Sequence, residues 1–210
     1  MVERRNRGQP LVKVTIFFEG GGEKEVTQSK HREGLSNYCS HVSQKPRRLR
    51  IVAGGGREQT FDKFRRAVLN SRNDELIALL VDAENPVTAN SPAEHLRACD
   101  RWEFPAADNF RVFLMVQMME SWFLADRDAL TAYYDGGFQA NSLPGSPANV
   151  ENIRKDDVDR GLKNATRNTR SKGTYDKIGH GAALLALIDP KKVEAASPHA
   201  KKFNDFLKSL

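Results

Sequence analysis

Cysteine is scarce in this sequence, which has only Cys39 and Cys99 among its 210 residues. The two do not form a CxxC motif, and the chain has no Cys/His spacing typical of a zinc site. A disulfide framework and a structural zinc site are therefore excluded as organising features. Two isolated thiols of this kind indicate reduced cysteines in a cytoplasmic protein.

Long apolar runs are also missing. The longest ones fall far short of the roughly 20 residues that span a bilayer. The first nine residues are basic and polar and have no apolar segment of the secretory type behind them. We therefore expect a basic arm over residues 1–10, a cytoplasmic location and no association with a membrane.

Two enzyme motifs are absent as well. No Gly-Lys-Ser/Thr follows the glycines at 20–22, which excludes a nucleotide P-loop, and no serine nucleophile elbow occurs. What is present is the composition of a folded domain, with 39% hydrophobic and 29% charged residues. The formal net charge of +6 is compatible with binding to nucleic acid but does not require it.

The most informative stretch is residues 76–84, in which six apolar residues precede Asp82, Ala83 and Glu84. This run predicts a strand buried on both faces of a parallel sheet, because Asn85-Pro86 ends it too early for a helix. Side chains at i and i+2 of a strand point to the same side, so Asp82 and Glu84 are expected to share one cation. The alternative is two acids that simply end a strand in solvent.

The order of the predicted elements indicates an α/β fold, with a Rossmann-like parallel sheet flanked by helices and right-handed crossovers. The predicted strands are 11–18, 49–53, 76–84 and about 111–116. The predicted helices of the core are 30–43, 57–71 and one capped by Ser91. The core is predicted over residues 11–135. Residues 136–210 are predicted to add a long loop and helices at 156–170, 182–188 and from Ser197, packed on the core as one compact domain.

A second predicted strand also ends in an acid, Glu19, which precedes the glycine loop. Ligands collect at the carboxyl ends of parallel strands, so Glu19 and Asp82 are expected to converge around one divalent ion. Gly20 and Gly21 allow the backbone to approach a phosphate closely; the alternative is a plain tight turn. Glu120 lies among large apolar residues, where a carboxylate is costly unless it is paired or metal-bound; the alternative is a position on the rim of an amphipathic helix.

A basic and aromatic cluster occurs at residues 171–181. Lys172 and Lys177 are candidates for stabilising negative charge on a reacting phosphate. His180 is more often structural or phosphate-contacting than a general base. Carboxylate oxygens suit hard cations such as Mg²⁺ or Mn²⁺, and such a cluster can position one or two ions for phosphodiester cleavage.

Four short segments carry a resemblance to known proteins. A Glu-Gly loop after the first strand and an Asp-x-Glu after a later one resemble the Toprim domain of topoisomerases, bacterial primases and nucleases of the overcoming-lysogenization-defect type. Residues 18–20, 81–84, 119–126 and 172–177 look more closely like a Toprim-like bacterial family, domain of unknown function 4276. Its members are often encoded beside ATPases in mobile-element or phage-defence settings. The resemblance spans about residues 13–210.

The resemblance implies a Toprim fold and a Mg²⁺- or Mn²⁺-dependent nuclease acting on DNA or RNA. It also implies an ABC/AAA-type ATPase partner, with oligomerisation possible. The implied metal ligands are Glu19, Asp82 and Glu84, with Glu23 and Glu120 as secondary candidates. We predict catalytic roles for Glu19, Asp82, Glu84, Glu120 and Lys177. The predicted phosphate contacts are Gly20, Gly21, Lys172, Tyr175 and His180.

Glu84 departs from the Asp-x-Asp form of the motif and is one methylene longer. A non-catalytic binding or regulatory module with the same fold is therefore the main alternative. A primase-like or ligating phosphoryl transferase is a third, but no nucleotide loop or active-site tyrosine in a recognisable context supports it.

Overall fold

The computed structural model describes residues 13–44, 48–72, 74–145 and 148–210. The basic arm predicted over residues 1–10 and the first two residues of the predicted first strand lie outside these ranges. Within the described ranges, no helix combines the length and the apolar character needed to cross a bilayer.

A parallel sheet with the strand order β2-β1-β3-β4 forms the centre of the protein. The strands are β1 (Lys13–Phe18), β2 (Leu49–Ala53), β3 (Glu75–Asp82) and β4 (Phe110–Met115). The predicted Rossmann-like α/β fold is confirmed. Every neighbouring pair is parallel, so the carboxyl ends of all these strands lie at one edge of the sheet.

The sheet is covered on both faces, as the apolar run of β3 predicts. Ala78 and Leu80 belong to one hydrophobic cluster, and Leu79 and Val81 to a second cluster on the opposite face. All four side chains are fully buried. This alternation follows from the two-residue period of a strand, and it fixes the orientation of Asp82 at the strand's end.

Helices pack on both faces of the sheet. Their bounds are α1 (Glu25–Val42), α2 (Arg57–Leu69), α3 (Pro92–Asp100), α4 (Glu120–Ala125), α5 (Arg127–Tyr134), α6 (Lys155–Thr166), α7 (Lys177–Leu187), α8 (Pro190–Ala196) and α9 (Pro198–Ser209). Helices α2 and α3 contribute to the cluster on one face, whereas α1 and the helices from α4 onward contribute to the other. The cluster that contains side chains of α1 and of the helices from α4 onward therefore combines residues of the predicted core with residues of the C-terminal extension.

Several predicted helix ends differ from the observed ones. Helix α3 starts as predicted, because the Ser91 hydroxyl accepts a hydrogen bond from the Glu94 N–H (3.2 Å). Helix α1 begins at Glu25 rather than at residue 30. The prediction missed its first turn because the apolar residue there, Val26, is exposed and does not continue the buried apolar period. Helix α7 begins at Lys177 rather than at residue 182, with the Asp176 side chain capping its first turn.

The strand order places a topological switch point between β1 and β3. From β1 the chain moves outward to β2, and it then returns past β1 to add β3 and β4 on the other side. In open α/β sheets the crevice at such a switch point, at the carboxyl ends of the strands, is the usual ligand site. The residues that follow β1 and β3 therefore flank this crevice.

The contact between α1 and α7 is close enough to test by substitution. A Cβ atom on Gly34 would lie 2.3 Å from the Ala182 carbonyl oxygen. We expect Gly34→Ala to lower the free energy of unfolding by roughly 1–3 kcal/mol, although alanine is the better helix former. Urea unfolding measures this. Gly136→Ala, where a Cβ would meet open space, is the matched control. Equal losses in the two variants would contradict the close packing.

Candidate metal centre

Three carboxylates meet at the switch point. Oxygen atoms of Glu19, Asp82 and Glu84 all lie within 4.8 Å of one another. Glu19 follows β1, whereas Asp82 ends β3 and Glu84 lies two residues beyond it. Three negative charges this close repel strongly at partial burial, so the group requires protons, basic partners or a cation.

Glu19 is held against the end of β3. Its backbone N–H donates to the Leu80 carbonyl (3.0 Å), and its Oε2 accepts from the Asp82 N–H (3.3 Å) and from Arg57 Nη1 (3.1 Å). Only 16% of the side chain is exposed. Burial, and next the negative charge of Asp82, raise the pKa of Glu19 to about 7 against the opposing effect of Arg57.

Asp82 is the most buried of the three, with 2% of its side chain exposed. Its Oδ1 accepts a hydrogen bond from the Met119 N–H (2.8 Å), and its Oδ2 accepts one from Lys177 Nζ (3.1 Å). The segment after β4 and the start of α7 therefore orient this carboxylate. Both contacts come from parts of the chain distant from β3 in sequence.

Glu84 reaches the group by a route that the sequence did not predict. Strand β3 ends at Asp82, and Glu84 has a φ of 65°, in the left-handed region. The prediction that strand alternation places Asp82 and Glu84 on the same side is therefore wrong, because Glu84 is no longer part of the strand. A turn brings it to the group, stabilised by its N–H bond to the Gln117 carbonyl (2.8 Å). Its carboxylate accepts a hydrogen bond from Lys155 at the start of α6.

Glu120 is completely buried at the start of α4, so the alternative of a rim position is wrong. Its Oε1 accepts a hydrogen bond from the Tyr175 hydroxyl (2.7 Å). Its Oε2 lies 3.6 Å from Lys177 Nζ and has no hydrogen-bond partner among the described residues. Burial raises the pKa of Glu120, and Lys177 opposes the increase. Glu120 is therefore linked to Asp82 through Lys177, whose ammonium group contacts both carboxylates.

Lys177 stands between two carboxylates. Burial disfavours its charge, but Asp82 and Glu120 outweigh this effect and hold its pKa above the usual range. Lys177 is therefore a permanent positive charge at neutral pH. In this state it can stabilise negative charge on a ligand but cannot accept a proton.

Arg57 is the main site residue that the sequence analysis missed. It is the first residue of α2, and its Nη1 donates to both the Glu19 carboxylate and the Asp82 carbonyl (2.6 Å). Its Nε and Nη2 grip both oxygens of Asp100 (2.7 and 2.8 Å), and its guanidinium lies 5.0 Å from the centre of the Trp102 ring. The available signal was an arginine directly after the glycine loop that follows β2.

The glycine loop after β1 has a structural reason for its composition. Gly21 has a φ of 84°, and a Cβ there would lie 2.5 Å from the Gln28 Cα. Gly20 donates its N–H to the Gly55 carbonyl (3.1 Å), which joins the loops after β1 and β2. The tight contact with α1 accounts for glycine at position 21, and phosphate binding by Gly20 and Gly21 stays a prediction.

The remaining predicted residues lie in different places. Glu23 is exposed and outside the group of three carboxylates. Tyr175 is connected to the group through Glu120. Lys172 and His180 instead contact an aromatic pair, with Lys172 Nζ 4.8 Å from the centre of the Tyr133 ring and His180 Nδ1 accepting from the Tyr134 hydroxyl (3.0 Å).

Each of the three carboxylates has a basic partner, although the group is not sealed. Arg57 contacts Glu19, Lys177 contacts Asp82, and Lys155 contacts Glu84. The Lys155–Glu84 pair is about one-third exposed on each side. The three carboxylates can bind a divalent cation if Lys155 releases Glu84. Without a cation, their ion pairs with Arg57, Lys155 and Lys177 can instead hold β1, β3 and the helices together. We call this second arrangement a polar lock.

A family model described as "Domain of unknown function (DUF4276)" matches residues 18–208, which include every site residue named above. No curated protein matches the chain significantly. No solved structure does so either.

The raised pKa of Glu19 predicts how stability depends on pH. Between its usual value of 4.5 and about 7, the folded protein retains a proton that the unfolded chain releases. The free energy of unfolding of metal-free protein therefore falls as the pH rises through this window. We expect Glu19→Gln to lose less stability than the wild type between these pH values, by on the order of 3 kcal/mol.

Urea unfolding in EDTA at a series of pH values measures this difference. Glu103→Gln, which changes an exposed carboxylate, is the control and should follow the wild type. If Glu19→Gln gives a curve parallel to the wild type, the pKa of Glu19 is not raised.

Proposed function

We propose that this chain, which belongs to the family of domain of unknown function 4276, is a metal-dependent nuclease of Toprim type that hydrolyses phosphodiester bonds in DNA or RNA. The observation that carries the proposal is the convergence of Glu19, Asp82 and Glu84 within 4.8 Å at the switch point of the sheet. The Toprim relationship rests on the resemblance of short motifs, and a shared fold alone does not establish an activity.

The donor set fits Mg²⁺ or Mn²⁺. All three side chains offer carboxylate oxygens, which are the preferred ligands of hard cations. The pKa of Glu19 is raised by burial and by Asp82, so a divalent cation would relieve the repulsion that the basic partners leave. When bound, the ion would supply Lewis-acid activation of water and of the phosphoryl oxygens.

The proposed role of Lys177 is to stabilise negative charge on the phosphoryl group as the bond breaks. Its ammonium group lies 3.1 Å from Asp82 Oδ2, and 45% of its side chain is accessible to solvent. Glu120 and Tyr175 would act as positioning residues, because the Tyr175 hydroxyl fixes Glu120 and Glu120 lies beside Lys177. Arg57 would orient Glu19 and the end of β3.

Lys155 would have to release Glu84 before a cation could use all three carboxylates. Partial exposure of the pair makes this exchange accessible to solvent, and surface ion pairs contribute little stability. The released Lys155 would then remain at the rim, where it could contact an incoming phosphate.

The proposed setting is that of an effector in a phage-defence or mobile-element system, working in the cytoplasm with an ABC/AAA-type ATPase. This part of the proposal follows from the resemblance alone.

A non-catalytic binding or regulatory module is the second candidate. The presence of a basic partner at each carboxylate favours it, because Arg57, Lys155 and Lys177 then take the place of a metal. This candidate predicts salt-dependent binding of nucleic acid that survives the loss of Glu19, with no metal-dependent turnover.

Cleavage of labelled DNA and RNA with Mg²⁺ or Mn²⁺ separates the two candidates. We expect Asp82→Asn to lower the cleavage rate by about 100-fold or more, because the variant loses a negatively charged ligand in the buried centre. The exposed Glu103→Gln is the matched control and should cleave like the wild type. Equal cleavage by the wild type and Asp82→Asn would assign the activity to a contaminant.

The role of Lys177 predicts a different pattern. Lys177→Gln should bind Mn²⁺ at least as tightly as the wild type, because a competing positive charge is removed, while its turnover falls by about 100-fold. Mn²⁺ titration followed by electron paramagnetic resonance measures the affinity, and single-turnover cleavage measures the rate. Loss of both together would instead make Lys177 a structural partner of Asp82.

A further inference from the structure

The free edge of the sheet borders a charged groove. Strand β2 pairs with β1, and no strand among the described residues pairs with its other side. A cavity of about 320 Å³ lies along this edge, and its lining includes residues 50–53 of β2, Arg32 of α1 and Lys63 of α2. This volume is at the lower end of the range of ligand sites.

The positive charges lie on both sides of the strand. Ile51 and Ala53 face the cluster that contains the apolar side chains of α1, whereas Val52 packs on the cluster that contains those of α2. By alternation, Arg50 shares the face of Val52. Arg50 and Lys63 therefore flank the edge on one side, and Arg32 flanks it on the other.

Glu25 also lines the groove, but among the described residues none of the three basic side chains forms an ion pair with it. Arg32 donates to the Ser29 hydroxyl (3.1 Å) and Lys63 to the Gly54 carbonyl (2.8 Å), both neutral acceptors. In the described ranges, none of Arg32, Arg50 and Lys63 forms an ion pair with a carboxylate. All three are exposed. The basic residues at the metal centre differ in this respect, because each of them contacts an acid.

The groove borders the two loops that flank the metal centre. Gln28, which also lines it, donates to the Gly22 carbonyl (2.8 Å), and Lys63 is bound to Gly54. Gly20 and Gly55 join these two loops. The loop after β1 begins at Glu19, so the same two loops connect the lining of the groove to the group of three carboxylates.

We propose that this groove binds the sugar-phosphate backbone of the nucleic acid whose scissile phosphate lies at the carboxylate centre. Arg32, Arg50 and Lys63 neutralise phosphates on one side of the cleavage point. This inference rests on the proposed function. It adds the surface of the protein to which the substrate of that function binds. An acidic peptide added to the edge of β2 would meet the same charges, but the contacts that join the lining of the groove to the loops at the carboxylate centre favour the polynucleotide.

Binding measured without cleavage tests the groove. Fluorescence anisotropy in EDTA, with single-stranded DNA and RNA of about 16 nucleotides, gives affinities between about 50 and 200 mM salt. We expect Arg50→Gln and Arg32→Gln each to weaken binding by about 3- to 10-fold and to reduce the salt slope by about 0.7 per lost phosphate contact. Arg50→Lys should retain most of the affinity.

The matched control is Lys202→Gln, which removes one exposed charge from α9, a helix that packs on β4 at the opposite edge of the sheet. Equal weakening by Lys202→Gln would indicate diffuse attraction to a basic surface and would overturn the proposal. Absence of binding by the wild type would overturn it too. So would groove variants that lose affinity for polyglutamate but not for the oligonucleotides, since the occupant would then be an acidic protein.

The nuclease proposal fails by a different result. Asp82→Asn should retain or increase the affinity for the oligonucleotides in EDTA, because it removes a negative charge beside the scissile phosphate, while it loses cleavage. Groove-dependent binding by a wild type that never cleaves would support the groove and refute the catalytic role. Circular dichroism and the urea midpoint of each variant confirm that its fold is retained.

Discussion

Repulsion between Glu19 and Asp82 is the constraint on which the rest of the site depends. The sheet holds both residues at the carboxyl ends of adjacent parallel strands, where burial removes most of the water that would screen them. This repulsion is reduced by a proton on Glu19 up to about pH 7 and by the positive charges of Arg57 and Lys177, which contact Glu19 and Asp82. A divalent cation would reduce the repulsion further, since it carries two positive charges and takes oxygen ligands.

The C-terminal helices are part of this balance rather than an addition to it. Helix α7 begins with Lys177 and α6 begins with Lys155, and these lysines contact Asp82 and Glu84. Tyr175, just before α7, donates to the buried Glu120. A change in how α6 or α7 packs would therefore alter the electrostatics of the carboxylates directly.

The exposure and pairing of the charged side chains distinguish a metal site from the polar lock. A polar lock is most stable when each charge is paired and excluded from water, because an unpaired buried charge carries a large desolvation penalty. Here Glu84, Lys155 and Lys177 remain partly exposed, and Glu120 keeps one oxygen without a hydrogen bond among the described residues. The group is thus open to solvent at Glu84, Lys155 and Lys177, whereas the oxygen of Glu120 without a hydrogen bond lies on the buried side.

The sequence alone was sufficient for the parallel α/β sheet, the buried strand β3, the cap at Ser91 and the expected convergence of Glu19 with Asp82. These features depend on local patterns: an unbroken apolar run, a capping box, and acids placed directly after strands. Tertiary structure decided the rest. It brought Glu84 in through a turn, buried Glu120, and recruited Arg57, Lys155 and Lys177 from three different helices. A local pattern cannot specify these partners, because a charge balance is set by distances between side chains that are far apart in the chain.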